Sequence, residues 1–203
     1  MMSNKPQNNR GFTIIEAMIA IFILTVSVSS MLGITAASSA SARYANNEIT
    51  ANYLLQEAVD SIRNSRDTIA FQMTDGDDST NLEWDNFLKK YGYSSNSYCF
   101  STNGCDISIE NFDPTKNDSS YSDLVACNGD GGVCENLNYD DGMTKVFYNH
   151  SGHGIPSEFR RTIKMKMITV DELEITVIME WSNGDNTIPR TQRLVSYLLN
   201  WQK

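Results

Sequence analysis

The chain has 203 residues, of which 40% are hydrophobic and 20% are charged, and its formal net charge is −9. This length allows one ordinary domain with an additional element but not two large domains, and the composition excludes wholesale disorder. Since 25 acidic residues stand against 16 basic residues and no Lys/Arg block is present, most of the surface repels nucleic acid, and broad nucleic-acid binding is not expected.

The first predicted element is an apolar helix near the N-terminus. Between Glu16 and Arg43 there are 26 consecutive residues without a formal charge, and the strongly apolar part, residues 12–34, is long enough to cross a bilayer. Lys5 and Arg10 precede it without an acidic residue, which predicts a cytoplasmic N-terminus and an exported remainder. A signal peptide is the alternative, but the run is longer than a usual h-region and no A-x-A-like cleavage site follows cleanly.

The helical pattern continues beyond the apolar segment to about residue 65. A single apolar stripe with the spacing of one helix face is formed by Ala51, Leu54, Leu55, Ala58, Val59 and Ile62. Asp60 and Arg63 lie off this stripe, close enough on the helix surface to pair weakly. The pattern predicts one helix of about 54 residues, roughly 80 Å long, whose amphipathic half (residues 35–70) docks on an exported globular head (residues 71–203).

Residues 71–158 have the composition of turns and loops, and we predict a variable, loop-rich region there. Within it, residues 82–93 predict a short helix that partly buries Leu82, Phe87, Leu88 and Tyr91.

The same region holds all four cysteines. Outside the cytoplasm, an even number of cysteines in Gly/Asn/Ser-rich sequence predicts disulfides. Of the three possible pairings we favour the two local ones, which join Cys99 to Cys105 and Cys127 to Cys134. A zinc site is disfavoured because it needs more closely spaced C-x2–4-C pairs.

Residues 159–203 predict an antiparallel sheet of three strands. Residues 161–169 and 172–181 each alternate between apolar and mostly polar side chains, and the tight connection at residues 170–171 makes them a hairpin. A third strand follows in residues 191–201. The side chains predicted to face one way are Ile163, Met165, Met167, Leu173, Ile175, Val177, Met179 and Trp181. Such a sheet beside an amphipathic helix predicts an α+β domain.

Catalytic chemistry is not favoured. The only two histidines, His150 and His153, could be drawn as metal ligands together with Asp140 and Asp141, but an H-x2-H pair in a Gly-rich loop is more often exposed. No G-x-S-x-G nucleophile elbow is present. We therefore predict no enzyme and no catalytic residue.

A calcium site is the more plausible metal site, in the acidic segment of residues 75–83. It offers side-chain oxygens at Asp75, Asp77, Asp78 and Asn81. Because it lacks the glycine at the sixth position of an EF-hand loop, a solvated acidic loop is favoured and no cofactor is expected.

The segment GFTIIEAMIAIFIL, residues 11–24, resembles the N-terminus of type IV pilins and of the pseudopilins of type II secretion. The family pattern is a short basic leader ending in Gly, followed by Phe, an apolar run and Glu at the fifth mature position; Gly11, Phe12 and Glu16 match it. The resemblance implies that a prepilin peptidase removes residues 1–11 and methylates the new Phe12 amine. It also implies a single-pass protein of the cytoplasmic membrane that enters an extracellular or periplasmic filament.

The resemblance further implies the ladle-shaped pilin fold and a set of partners: other major and minor pilins and the inner-membrane assembly platform. The Glu16 carboxylate would pair with the Phe12 amine of a neighbouring subunit. In an apolar surrounding this pairing is strong, because both charges otherwise stand desolvated. It would set the axial stagger at which a subunit joins.

The C-terminal sequence is similar to the minor pilin V and pseudopilin I branch of the family. The similarity rests on Trp181, Gly184, Tyr197, Leu198, Asn200 and Trp201. It implies a minor subunit that primes assembly or occupies the filament tip. The alternative is a membrane-anchored adhesin that uses residues 94–158 as its contact surface.

Overall fold

The computed structural model describes residues 11, 13–72, 82–108, 124–129, 132–140, 147–150, 154–182 and 189–201. The chain divides into two compact units, with the boundary between Glu48 and Ile49. This boundary falls inside the long helix α1, Ile14–Gln72.

In the N-terminal unit, α1 exposes its apolar side chains. An 18-residue window has a mean hydropathy of 2.3 and is not buried, so the helix is long and apolar enough to cross a membrane. The hydroxyl groups in this part donate hydrogen bonds to carbonyl groups one turn earlier in the helix; they belong to Thr25, Ser27, Ser29, Ser30 and Thr35. These polar groups are therefore satisfied within the helix and need no outside partner.

In the C-terminal unit, α1 buries one face. All six residues of the predicted stripe are buried, and none is more than 5% exposed. The stripe continues to Ile69 and Ala70, past the end of the helical pattern near residue 65 and as far as residue 70, where the amphipathic half was placed. The predicted pair between Asp60 and Arg63 is present at 3.6 Å, but both side chains are largely exposed and the pair contributes little stability.

The main sheet is antiparallel and has five strands in the order β2-β1-β6-β7-β8. Its strands are β1 (Cys105–Ile107), β2 (Leu124–Ala126), β6 (Phe159–Thr169), β7 (Glu172–Trp181) and β8 (Arg190–Leu199). The predicted hairpin is confirmed, since β6 and β7 pair along their length and turn at residues 170–171. The α+β arrangement is confirmed as well, with an amphipathic helix half packed on an antiparallel sheet.

The predicted inward face of the hairpin is buried in the core, with the exception of Met167, which is half-buried. The short helix α2, Leu82–Lys90, is also confirmed. Three of the side chains predicted to be partly buried are in fact fully buried: Phe87 and Leu88 on α2, and Tyr91 directly after it, are at most 3% exposed. Trp84, which was not among the predicted core residues, is 5% exposed and donates from Nε1 to the Val170 carbonyl at 3.0 Å.

The loop-rich region contains more regular structure than predicted. Besides β1 and β2, it forms a second antiparallel sheet in the order β4-β3-β5, with β3 (Asn138–Asp140), β4 (Phe147–Asn149) and β5 (Ile155–Pro156). The prediction of a three-stranded sheet was therefore incomplete. Strands of two or three residues are too short to show a two-residue period, which is why the sequence pattern misses them.

Candidate functional site

Thr13 and Glu16 form the start of α1. Because the helix begins at Ile14, Thr13 is at the N-cap position and Glu16 is the third helical residue. The Glu16 N–H donates to the Thr13 carbonyl at 3.1 Å and lies 3.4 Å from Thr13 Oγ1. The Thr-x-x-Glu spacing is that of a capping box, of which the structure shows one bond, from the Glu16 N–H to Thr13 Oγ1. A carboxylate in the first turn also interacts favourably with the helix dipole. The signal was present in the sequence but was not used in predicting the helix start.

Glu16 is the one acidic residue in the first turn of α1, and it lies among exposed apolar residues. Ile14, Ile15, Met18 and Ile19 are between 54% and 82% exposed. Among the described residues, no cation pairs with the Glu16 carboxylate. An apolar surface of this extent marks an interaction with a membrane or with other apolar surfaces. When the surface is covered in this way, the Glu16 carboxylate is covered with it.

Gly11 is exposed, and Phe12 lies outside the described residues. A Cβ atom added at Gly11 would meet no other atom within 4 Å, and Gly11 does not have the left-handed φ that favours glycine. The described structure therefore gives no steric reason for glycine at this position.

A comparison with known families bears on this segment. Residues 6–32 match the family described as the prokaryotic N-terminal methylation motif. The N-terminus therefore carries a methylation motif. The matched range includes Gly11, Phe12 and Glu16, and the motif supports a type IV pilin-like or pseudopilin subunit that is anchored in a membrane, processed by a prepilin peptidase and assembled with other pilins. No curated protein and no solved structure was found to match the chain.

Away from the methylation motif, two disulfides hold the C-terminal unit. Cys99 is bonded to Cys105 and Cys127 is bonded to Cys134, which are the two local pairs favoured from the sequence. Gly104 makes the first loop possible, because its φ is +85° and a Cβ atom there would lie 2.6 Å from the Ile163 carbonyl oxygen.

A group of charged side chains, here called the Arg161 cluster, connects α1 with the main sheet. It consists of Glu57 on α1, Asp106 on β1, His150 after β4 and Arg161 on β6. Arg161 is fully buried, and its guanidinium donates to Asp106 Oδ1 (2.6 Å), Ile107 O (2.7 Å), Leu54 O (3.1 Å) and Glu57 Oε2 (3.1 Å). One buried cation thus ties the helix backbone to two strands.

Asp106 is the main counter-ion of Arg161. It is fully buried, and its Oδ1 also accepts from the Ile107 N–H at 2.7 Å. Burial lowers the pKa of Arg161, but the Asp106 and Glu57 carboxylates outweigh it and raise this pKa overall. Burial raises the pKa of Glu57 despite the attraction of Arg161, so Glu57 is the weaker of the two partners.

His150 is not the exposed loop histidine expected from the sequence. Its side chain is 6% exposed, and Nε2 lies 2.7 Å from Asp106 Oδ2, because the end of β4 brings it to the cluster. His153, Asp141, the Asp140 side chain and the four proposed calcium ligands, Asp75, Asp77, Asp78 and Asn81, lie outside the described residues. In the part of the chain that the structure describes, no group of three or more His, Cys, Asp or Glu residues could hold a metal ion.

Proposed function

We propose that the protein is a minor pilin or pseudopilin that primes the assembly of a filament or occupies its tip. The observation that carries the proposal is the methylation motif at residues 6–32, placed at the start of an exposed apolar helix with Glu16 in its first turn. A motif of this kind supports a structural subunit rather than an enzyme. The machine would be a type IV pilus or a type II secretion-like filament.

In this proposal, Glu16 acts after the leader has been removed. Cleavage between Gly11 and Phe12 creates a positively charged amine at the N-terminus of the mature chain. When apolar helices pack together, this amine and the Glu16 carboxylate of a neighbouring subunit both lose water, and each is the partner that the other then needs. A subunit that joins at the wrong axial position would leave both charges buried and unpaired, so the pair selects the register.

The assignment to the pilin V and pseudopilin I branch rests on the C-terminal residues. Trp181 and Leu198 are buried in the main sheet, at 4% and 2% exposure, and thus serve the core. Tyr197 and Trp201 are about half exposed, at 53% and 52%, and are available to other subunits. The partners in this proposal are the prepilin peptidase, the inner-membrane assembly platform, and other major and minor pilins.

Deleting the protein tests the priming role. We expect a strain that lacks it, but keeps all other subunits, to assemble few or no filaments, because the first subunits of the filament would not associate in register. Expression of the wild-type chain from a plasmid should restore them. Filaments are counted per cell by electron microscopy, and attachment to a surface is scored in parallel. Filaments in wild-type number that fail to attach would contradict priming and support the adhesin alternative.

A further inference from the structure

Strand β8 forms an open edge of the main sheet. Among the described residues it pairs with β7 on one side and with no strand on the other. Asn200 N–H donates to the Asp171 carbonyl at 2.8 Å, so the backbone groups of Asn200 point towards β7. Backbone groups alternate between the two sides of a strand, and the β7–β8 register has no irregularity. The N–H and C=O groups that point to the open edge are therefore those of Thr191, Arg193, Val195, Tyr197 and Leu199.

The last three of these residues give one end of the edge an apolar surface. Val195, Tyr197 and Leu199 are 38%, 53% and 57% exposed, whereas Ser196 and Leu198 face the core. Natural proteins usually protect such edges with charged side chains, proline or a bulge. Strand β8 has no lysine, proline or bulge, and Arg193 is the one charged residue among the five. In the part of the chain that the structure describes, the end of the edge is covered by Arg66, whose Nη1 donates to the Leu199 carbonyl at 3.3 Å.

We propose that two copies of this protein pair through their β8 edges, antiparallel and related by a two-fold axis at Val195. In this register Val195 faces its own copy, and Thr191 of each chain faces Leu199 of the other. Arg193 of each chain faces Tyr197 of the other. The pairing involves the C-terminal unit alone and does not depend on the methylation motif.

Charge complementarity is the reason for choosing a second copy and this register. The Tyr197 hydroxyl donates to Glu174 Oε2 at 3.1 Å, so a cation facing Tyr197 meets both an aromatic ring and a carboxylate. Arg193 supplies that cation, and the two-fold axis makes the contact twice. A register centred on Tyr197 would instead place the two Tyr197–Glu174 pairs, with their like charges, against each other.

Arg193 is able to move into this contact. In the single chain its side chain is exposed and Nη2 donates to the neutral Thr176 hydroxyl at 3.2 Å. Exchanging this bond for a carboxylate and an aromatic ring is favourable, because hydrogen bonds to a charged partner are stronger than those to a neutral one.

Cysteine cross-linking of the full chain in membranes tests the pairing. With Val195→Cys, mild oxidation should give a covalent dimer on a non-reducing gel, since position 195 lies on the axis. Val170→Cys is the matched control, because Val170 is 80% exposed in the β6–β7 turn, away from the edge. A dimer yield no higher for Val195→Cys than for Val170→Cys would overturn the proposal, as would a cross-link to a different protein.

A charge exchange tests the register. In detergent solution, Arg193→Glu should weaken the dimer at least about tenfold, by replacing a favourable contact with repulsion from Glu174. Glu174→Arg combined with Arg193→Glu should restore it, because the two charges are then exchanged across the axis. Sedimentation over a range of protein concentrations gives the mass of each variant. A wild-type chain that stays monomeric, or a double variant weaker than Arg193→Glu, would overturn the proposal.

Discussion

Replacing Glu16 with glutamine should leave the protein processed and in the membrane but reduce its incorporation into filaments by about two to four orders of magnitude. Breaking a buried ion pair by removing one partner costs about 3–5 kcal/mol, and each ~1.4 kcal/mol is a factor of ten in association. Insertion should persist, because the segment becomes less polar. Processing should persist because the peptidase acts on a single chain. If the subunit is at the tip, the same loss appears as fewer filaments per cell.

Glutamine is the sharpest substitution because it separates the charge of Glu16 from its role at the helix start. The third position of a capping box accepts Glu or Gln, so Glu16→Gln keeps the start of α1 and removes the charge alone. Thr13→Val is the matched control: it removes the Oγ1 atom 3.4 Å from the Glu16 N–H and costs about 1 kcal/mol of helix stability, but it keeps the charge. Glu16→Asp keeps the charge with a shorter reach and should assemble partially.

The measurement is the ratio of the subunit in sheared filaments to the subunit in membranes, by quantitative immunoblot. We expect the ratio to be near the wild-type value for Thr13→Val and greatly reduced for Glu16→Gln. Incorporation of Glu16→Gln at the wild-type level, with normal filament number, would contradict the pairing. Equal losses in the two variants would mean that Glu16 acts through the helix start.

Replacing Asp106 with asparagine should reduce the free energy of unfolding of the C-terminal unit by about 3–5 kcal/mol. The substitution leaves the fully buried Arg161 guanidinium without its main counter-ion, which is the costly way to break a buried pair. It also replaces the carboxylate oxygen Oδ1, which accepts a hydrogen bond from the Ile107 N–H, by a neutral amide.

Glu57→Gln is the matched control, since Glu57 contacts the same guanidinium at 3.1 Å but its side chain is 36% exposed. Burial raises the pKa of the Glu57 carboxyl group above the usual 4.5. In the folded protein this group therefore keeps its proton to a higher pH than in the unfolded chain. Its contribution to stability therefore falls as the pH rises through the interval above 4.5, and it adds little at pH 7. We expect Glu57→Gln to change stability at pH 7 by less than about 1 kcal/mol.

Both variants are measured by denaturant unfolding at pH 7, followed by the fluorescence of the buried Trp84 and Trp181 side chains. A shift of the midpoint with an unchanged slope reports stability alone. A loss below about 1 kcal/mol for Asp106→Asn, which is no more than the average effect of a single substitution, would show that Asp106 is not the main counter-ion. A loss of the same size for Glu57→Gln would show the same.

The long elements of the fold were predictable because each repeats its pattern many times. The stripe from Ala51 to Ile62 and the alternation in β6 and β7 cover several turns or several residue pairs, so chance matches are rare. The strands β1 and β2 were not predictable, since three residues show no period. Their place in the sheet comes from pairing with distant segments, such as Cys105 with Ile163.

The Arg161 cluster was half predictable. Arg161, Ile163 and Met165 lie two residues apart in β6, so the alternation places all three side chains on the inward face. A charged guanidinium buried there needs a partner. The identity of that partner was not predictable, because Asp106 lies in one of the short strands. His150 was placed wrongly for the same reason: its burial depends on Asp106, and no local pattern connects the two.

The N-terminal site was predictable as a motif but not as a geometry. The positions of Gly11, Phe12 and Glu16 follow a spacing that is readable in the sequence. The sequence also contained Thr13-x-x-Glu16, which shows why α1 begins at Ile14 and why a charge-neutral glutamine separates the two roles of Glu16.

The intact mass of the protein extracted from membranes tests the central claim most directly. The account predicts that the wild-type chain has lost 11 residues and gained one methyl group on Phe12. Gly11→Leu should keep the full-length precursor, whereas Gly33→Ala, at a second glycine with open space around it, should be processed as the wild type is. A wild-type membrane protein that retains residues 1–11, or a Gly11→Leu chain with the processed mass, would contradict the account.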